Sequence, residues 1–170
     1  MKNKIILGID PGLNITGLSL IKILSYKKNK IIILKLKEIY LKKIQNYKIK
    51  INIIYFYFFK IIKKYKPNYL VMENTYLGKN VISLKRLVQC QSAILLAALH
   101  NKKNIIKYYP KTIKFIITGY GNTKKTKIKK KIENLLNFTY NYNNNLDIID
   151  SLAVAMCHYF IIKKHIKLKY

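Results

Sequence analysis

Short apolar runs separated by turn-forming residues occupy the first forty positions of the chain. Residues 4–9, 15–24 and 30–37 are rich in isoleucine and leucine. Proline, glycine and asparagine interrupt the pattern at 11–14, and lysine with asparagine does so at 27–29. Apolar runs of this length between turn formers are typical of strands. The pattern therefore predicts three strands that follow one another through short turns.

Longer apolar segments follow these strands. Residues 44–65 are densely apolar up to Pro67, and although their isoleucine and tyrosine content suits a strand, their length predicts a helix. Pro110 ends a later strand, and a glycine turn comes after it. The pattern also predicts strands at 69–73 and 105–109 and helices at 80–100, 123–136 and 146–164.

This order of elements predicts a mixed α/β domain, because strands come first and then alternate with helices. One central sheet with helices on its faces is expected. A length of 170 residues is that of one domain with a core of its own. We therefore expect a single domain over residues 1–170, although the order of its strands does not follow from the periodicity.

The charge of the chain favours a polyanionic partner. It has 34 lysines and arginines against 6 acidic residues, for a net charge of +28. Lysines that neutralise phosphates release counterions and so bind nucleic acid. Arg86 is the only arginine, and this bias toward lysine is typical of a genome rich in A and T. Part of the charge is thus expected from codon bias, and a bacterial endosymbiont is the first guess for the source, with an organelle left open.

Two cysteines and the longest apolar stretch bear on the cellular location. Cys90 and Cys157 lie in predicted apolar helices without C-x-x-C spacing, which predicts reduced core thiols. Residues 51–62 form an apolar stretch that is shorter than the roughly 18 to 20 residues that cross a bilayer. The first strand is predicted at residue 4, which leaves no room for a signal peptide. We expect a cytoplasmic protein with no membrane segment.

Four of the six acids occupy places where carboxylates can converge. Asp10 and Glu73 each end a predicted buried strand. If those strands are parallel neighbours, both side chains emerge at the same edge of the sheet, where open α/β sheets bind ligands. Asp147 and Asp150 are three residues apart at the start of the last helix and so share one face of it.

Such a cluster predicts a site for divalent cations. Four carboxylates in one place repel one another unless cations lie among them. Ligand sets made only of oxygen favour Mg²⁺ or Mn²⁺ over zinc. Two such ions can bind both the attacking water and the leaving oxygen of a phosphoryl transfer. A metal pair in a basic surface is what a nuclease needs.

Each acid also has a simpler interpretation. The aspartate before proline and glycine suits a plain turn, and the strand-end glutamate could pair with a lysine. The helical pair could cap a helix N-terminus, which for that pair alone is the favoured interpretation. All four acids together are harder to explain in this way. The other two, Glu38 and Glu133, are flanked by lysines and are interpreted as surface charges.

Five segments of the chain form an ordered set of motifs: ILGIDPGLNITG, LVMENTYLGKN, SLKRLVQCQSAILLAA, PKTIKFIITGYGNTKK and LDIIDSLAVAMCH. In order and spacing they resemble those of the RuvC-type crossover (Holliday) junction endodeoxyribonucleases. The resemblance covers about residues 4–160 and implies an RNase H-like fold, with a five-stranded mixed sheet flanked by helices. It also implies a homodimer that resolves four-way DNA junctions in recombination and repair by paired symmetric nicks.

The resemblance also implies roles for single residues. Two Mg²⁺ ions per subunit, which Mn²⁺ could replace, would be held by the four converging acids, Asp10, Glu73, Asp147 and Asp150. Lys114 and Lys125 match lysines of the family that approach the scissile phosphate.

Further residues are implied to contact DNA or a second subunit. Tyr76 lies where the family has a phenylalanine that stacks on bases near the crossover, and stacking can contribute about 1 to 3 kcal/mol. Lys79 and Arg86 are also expected to contact DNA. The helix at 80–100 corresponds to the dimer interface of the family, and a branch-migration motor is a further expected partner.

Three other functions stay open on the sequence alone. Asp10, Gly12 and Gly17 approximate the phosphate-binding turn of the actin and sugar-kinase ATPases, although those proteins need a second such domain. Another RNase H-like nuclease would act on RNA or on hybrids. A non-catalytic, basic nucleic-acid-binding protein would bind without cutting and without metal.

Overall fold

A five-stranded mixed sheet with helices on both faces organises the chain in this computed structural model. The structure describes residues 3–24, 30–74, 81–137 and 146–164. The strands are β1 (Lys4–Asp10), β2 (Ile15–Leu24), β3 (Lys30–Tyr40), β4 (Tyr69–Glu73) and β5 (Ile105–Tyr108). The helices are α1 (Tyr47–Tyr65), α2 (Val81–His100), α3 (Pro110–Thr118), α4 (Lys125–Leu136) and α5 (Leu146–Lys164).

The strand order places β1 at the centre of the sheet. The order is β3-β2-β1-β4-β5. β1, β2 and β3 pair antiparallel, as short turns between consecutive strands dictate, whereas β1, β4 and β5 pair parallel. The condition for Asp10 and Glu73 to emerge at one edge is therefore met, because they end two parallel neighbours.

Two apolar layers fill the spaces between the sheet and its helices. Alternate residues of β1 supply both layers, since successive side chains of a strand point to opposite faces. Leu7 and Ile9 pack with α1 and α2, whereas Ile6 packs with α3, α4 and α5. Cys90 and Cys157 are buried free thiols, one in each layer, as the sequence predicts.

Two glycines let α5 lie close against the sheet. A Cβ atom on Gly8 would collide with the carbonyl oxygen of Ser151, and one on Gly17 would collide with that of Asp147. Ser19 on β2 donates a hydrogen bond to the same Ser151 oxygen over 2.9 Å. The first turns of α5 therefore rest directly on the backbone of β1 and β2.

One helix was missed by the sequence prediction. Pro110 ends β5 as predicted, but it is also the first residue of α3. Proline suits this position because the first turn of a helix does not use that N–H group. Gly119, with φ +85°, ends α3 in the left-handed conformation that glycine readily adopts. The predicted glycine turn therefore separates two helices, α3 and α4.

α2 combines a buried face with an apolar exposed face. Among the described residues, it is the helix whose length and composition would allow it to cross a membrane, a test that core helices of soluble proteins also pass. Its buried side chains, such as Ile94 and Ala97, pack with α1. The large apolar residues on its exposed side are Val81, Ile82, Val88, Leu95, Leu96 and Leu99.

Candidate active site

The turn after β1 holds Asp10 at the edge of the sheet. Thr16 donates a hydrogen bond to the carbonyl oxygen of Gly12 over 2.5 Å, which closes the turn. Asn14 accepts a hydrogen bond from the buried Lys50 of α1, with Nζ and Oδ1 2.6 Å apart. Because both bonds tie the turn to its surroundings, Asp10 projects from a fixed backbone.

Three aspartates from two distant parts of the chain meet at this edge. Carboxylate oxygens of Asp10, Asp147 and Asp150 lie within 4.8 Å of one another. The aspartates of α5 share a helical face, and that face is directed at the end of β1. Glu73 on β4 lies outside this close group, but its charge acts on Asp10.

Burial and mutual repulsion raise the pKa values of three of these acids, Asp10, Glu73 and Asp147. Burial, followed by the charges of Asp150, Glu73 and Asp147, raises the pKa of Asp10 to about 8 from an ordinary 3.8. Burial and the charge of Asp150 also raise the pKa values of Glu73 and Asp147. A cation among the carboxylates would relieve this repulsion.

The donor atoms of the cluster suit a hard divalent cation. Asp10, Asp147 and Asp150 offer only carboxylate oxygens, and no histidine or cysteine of the described residues joins them. Oxygen-only sets of this kind fit Mg²⁺ or Mn²⁺ better than zinc. The residues present therefore fit the metal chemistry that the sequence predicts, although they do not identify the ion.

Two lysines border the acids on the side of α3 and α4. Lys125 at the start of α4 forms an ion pair with Asp150 of α5. Burial lowers the pKa of Lys125, but its hydrogen bond to Asp150 and the charges of the acids outweigh burial and raise it. Lys114 of α3 lines a cavity of about 120 Å³ together with Glu73, Lys125 and Asp150. Both lysines and two of the acids therefore line one cleft.

Two further cations border the acids on the opposite side. Arg86 of α2 and Lys42 line a cavity of about 330 Å³ with Asn14 and Asp147. The charge of Lys42 lowers the pKa of Asp147, which burial and Asp150 raise. The carboxylates therefore lie between two basic clefts.

Gln91 is a residue of the site that the sequence prediction missed. Its side chain is buried, and its Nε2 atom donates a hydrogen bond to the carbonyl oxygen of Glu73 over 3.0 Å. Its Oε1 atom accepts one from Lys107 over 3.3 Å. It lines a cavity of about 210 Å³ with Asp10 and Glu73. A polar residue on the buried face of an apolar helix was the signal that could have revealed it.

Glu38 differs from its prediction as a surface charge. It lies on β3, partly buried, and its Oε1 atom is buried without a hydrogen-bond partner among the described residues. Burial and the charge of Asp147 raise its pKa. Glu133 is also partly buried, and its carboxylate lies 3.9 Å from Lys129 on α4.

Two of the residues predicted to contact DNA, Tyr76 and Lys79, lie outside the described residues. Base stacking on Tyr76 therefore stays a prediction. The structure places Arg86, Lys114 and Lys125 beside the acids, but their contacts with DNA also stay predictions.

The fold and this edge of the sheet define a class of protein. A five-stranded mixed sheet, with acids on the neighbouring strands β1 and β4 and on α5, forms an RNase H-like fold, as predicted. A family model described as crossover junction endodeoxyribonuclease RuvC matches residues 6–158. The chain belongs to the RuvC family of crossover junction endodeoxyribonucleases, and the resemblance noted from its motifs is confirmed.

Individual relatives agree with this assignment. The crossover junction endodeoxyribonuclease RuvC of Wigglesworthia glossinidia brevipalpis is 38% identical over 164 residues, which cover 96% of this chain and 98% of the relative. The structure of Thermus thermophilus RuvC matches with a TM-score of 0.84 at 19% sequence identity. The match covers 95% of this chain and 96% of the Thermus chain. The structure of T. thermophilus RuvC in complex with a Holliday junction substrate matches with a TM-score of 0.82 at 17% sequence identity. This match covers 94% of this chain and 96% of the chain in the complex.

Proposed function

We propose that this chain is an endonuclease that resolves four-way DNA junctions by paired symmetric nicks. The observation that carries the proposal is the meeting of Asp10, Asp147 and Asp150 within 4.8 Å, between two basic clefts, in a chain of the RuvC family. Junction DNA bound to a solved member of that family supports the choice of substrate. The proposed domain spans residues 1–170, and the proposed location is the cytoplasm, where chromosomal DNA lies.

The acids would hold two Mg²⁺ ions, for which Mn²⁺ could substitute. Asp10, Asp147 and Asp150, with Glu73 on the neighbouring strand, would hold these ions through their carboxylate oxygens. When bound, the ions would supply an activated water and neutralise the leaving oxygen of the phosphodiester. Gln91 would position Glu73 through its bond to the backbone.

The lysines next to the acids would bind the scissile phosphate. Lys114 and Lys125 line the same cleft as Glu73 and Asp150. Their charges would stabilise the additional negative charge of the transition state, since fixed cations in a partly buried site cost little reorganisation. Arg86 and Lys42 would hold the DNA backbone on the opposite side of the acids.

The exposed face of α2 would join two copies of the chain. Val88, Leu95 and Leu99 are spaced along one side of this helix and are 37% to 51% exposed. A symmetric pair of such faces buries apolar area against itself. Two subunits would bring two sets of acids to one junction, which paired nicks require. A branch-migration motor is a further partner in this proposal.

A nicking assay on a synthetic four-way junction tests the proposed function. Wild-type protein with Mg²⁺ is expected to make two symmetric nicks in the junction and to leave a linear duplex of the same sequence uncut. Asp10→Asn is expected to slow nicking by about two orders of magnitude or more, because it removes a charged group at the reacting centre. Glu133→Gln, which removes an acid outside the site, should nick as wild type does.

Other results would point to another function. Equal nicking by wild type and Asp10→Asn would contradict the proposal. Cleavage of an RNA–DNA hybrid with the junction intact would indicate a different RNase H-like nuclease. Salt-sensitive binding of the junction without any cleavage, with or without Mg²⁺, would indicate a non-catalytic binding protein.

A further inference from the structure

The position of Glu38 results from an irregularity in the edge strand. Leu20 pairs with Lys35 and Ile21 pairs with Ile33, so that Leu34 is an extra residue in β3. A bulge of this kind reverses the alternation of side chains between the two faces of the sheet. Glu38 therefore shares the face of Leu36, which packs in the apolar layer of α5.

The register of the sheet aligns Glu38 with the acids. Asp10 pairs with Gly17, and Gly17 pairs with Glu38, so that the three residues form one row across β1, β2 and β3. Paired residues point to the same face. Gly17 has no side chain, and the backbone of Asp147 occupies the space above it. Glu38 thus lies beside the first turn of α5, on the other side of Gly17 from Asp10.

The carboxylate of Glu38 has an unmet capacity to accept hydrogen bonds. Its Oε1 atom is buried and has no partner among the residues that the structure describes. Asp147 is near, because Glu38 pairs with Gly17 and the backbone of Asp147 lies against Gly17. A buried carboxylate oxygen without a donor, near other acids, is unfavourable unless the group holds a proton or a nearby cation compensates its charge.

We propose that Glu38 is a fifth carboxylate of the metal centre and strengthens cation binding on the side of Asp147. It acts as a positioning residue, through the negative charge that it adds on the side of Asp147. The inference rests on the proposed metal centre and adds a residue from the edge strand to it.

A purely structural role for Glu38 makes a different prediction. An acidic side chain beside a helix N-terminus stabilises the helix through its dipole. In that case the loss of the charge would destabilise the fold and leave the affinity for the cation unchanged. The binding of metal and the stability of the fold must therefore be measured on the same variants.

The experiment measures Mn²⁺ binding by calorimetry on the full chain without DNA. Glu38→Gln is expected to weaken Mn²⁺ binding about three- to tenfold, the effect of one charge several ångströms from the ion at intermediate dielectric. Glu38→Asp keeps the charge and should restore most of the affinity. Glu133→Gln is the matched control, because it changes the net charge equally but removes the carboxylate next to Lys129 on α4. Its affinity should equal that of wild type.

Each result gives a clear decision. Equal Mn²⁺ affinity of wild type and Glu38→Gln overturns the role of Glu38 and leaves the metal centre intact. If Glu38→Gln has a lower unfolding midpoint in urea but an unchanged Mn²⁺ affinity, Glu38 supports α5, and its proposed role in metal binding is again overturned. An absence of Mn²⁺ binding by wild type overturns the metal centre itself, and the proposal with it. Circular dichroism establishes that each variant is folded.

Discussion

Asp10 is strained electrostatically in the metal-free protein. Its carboxyl is buried, and three other acids act on it, which raises its pKa to about 8. An unfolded chain would release this proton near pH 3.8. Between these two values the folded state binds a proton that the unfolded state does not, so the stability of the metal-free protein falls as the pH rises from about 4 to 8.

Asp10→Asn is therefore expected to stabilise the protein that it inactivates. With a chelator present at pH 8, its free energy of unfolding should exceed that of wild type by about 3 kcal/mol, since one pKa unit corresponds to about 1.4 kcal/mol and coupling among the acids reduces the total. Urea unfolding at pH 5 and pH 8 measures this difference, which should be largest at pH 8. The same gain at both values would contradict a raised pKa.

Lys125 places a positive charge among the acids of the proposed metal site. It pairs with Asp150 and lowers the pKa values of Asp10 and Glu73, which burial raises. Lys125→Gln should therefore bind Mn²⁺ severalfold more tightly in the absence of DNA, because the site becomes more negative. It should also nick junctions about a hundredfold more slowly, because a cation near the scissile phosphate is lost.

Lys124→Gln is the matched control for this change. Lys124 adjoins Lys125, is exposed, and makes no capping hydrogen bond with its side chain at the start of α4. It should leave both Mn²⁺ affinity and nicking close to those of wild type. Weaker Mn²⁺ binding by Lys125→Gln would show that the lysine does not compete with the metal.

At the scale of the elements, the distance between α5 and the sheet decides whether the acids meet. Gly17→Ala places a methyl group against the backbone of Asp147, which cannot move without the helix. The substitution should cost about 1 to 3 kcal/mol of stability, as other overpacking changes do, and nicking should be largely lost. Thermal unfolding and the junction assay measure the two effects.

Gly121→Ala is a suitable control for Gly17→Ala. An added Cβ atom on Gly121 would meet only ordinary contacts, the nearest being the carbonyl oxygen of Lys111 at 3.7 Å. It should keep the stability and activity of wild type. If Gly17→Ala behaves in the same way, a close approach of α5 is not needed.

The elements also show how far the sequence could predict the site. Asp10 and Glu73 were predictable because scarce acids end two buried strands. Glu38 was not, because the bulge at Leu34 reverses the alternation of β3, and a bulge in one strand depends on its pairing with another. Helix α3 was missed because Pro110 signals the end of a strand and the start of a helix equally well.

At the scale of the whole molecule, the exposed apolar face of α2 is not covered by any other described part of the chain. Leu96 and Leu99 of α2 are 47% and 51% exposed. Leu96→Glu is expected to turn the proposed dimer into a monomer, since a charge buried in an apolar interface without a partner is unfavourable. Light scattering measures the mass, and paired nicking of one junction should become single nicking.

Phe56→Glu offers the matched control for the dimer. Phe56 lies on α1 and is 49% exposed. Phe56→Glu therefore adds the same charge and removes a similarly exposed apolar side chain as Leu96→Glu does. It should leave the mass unchanged. A monomeric wild type, or a dimer that persists in Leu96→Glu, would contradict the proposed interface.

The position of α5 along the chain has a consequence for the cell that makes the protein. α5 follows all the other described elements in sequence, and it carries two of the acids to strands formed from the beginning of the chain. During synthesis, lysine-rich early segments are exposed to nucleic acid well before Asp147 and Asp150 leave the ribosome. The acidic site can therefore assemble only after α5 has been synthesised, whereas the basic early segments are already present by then.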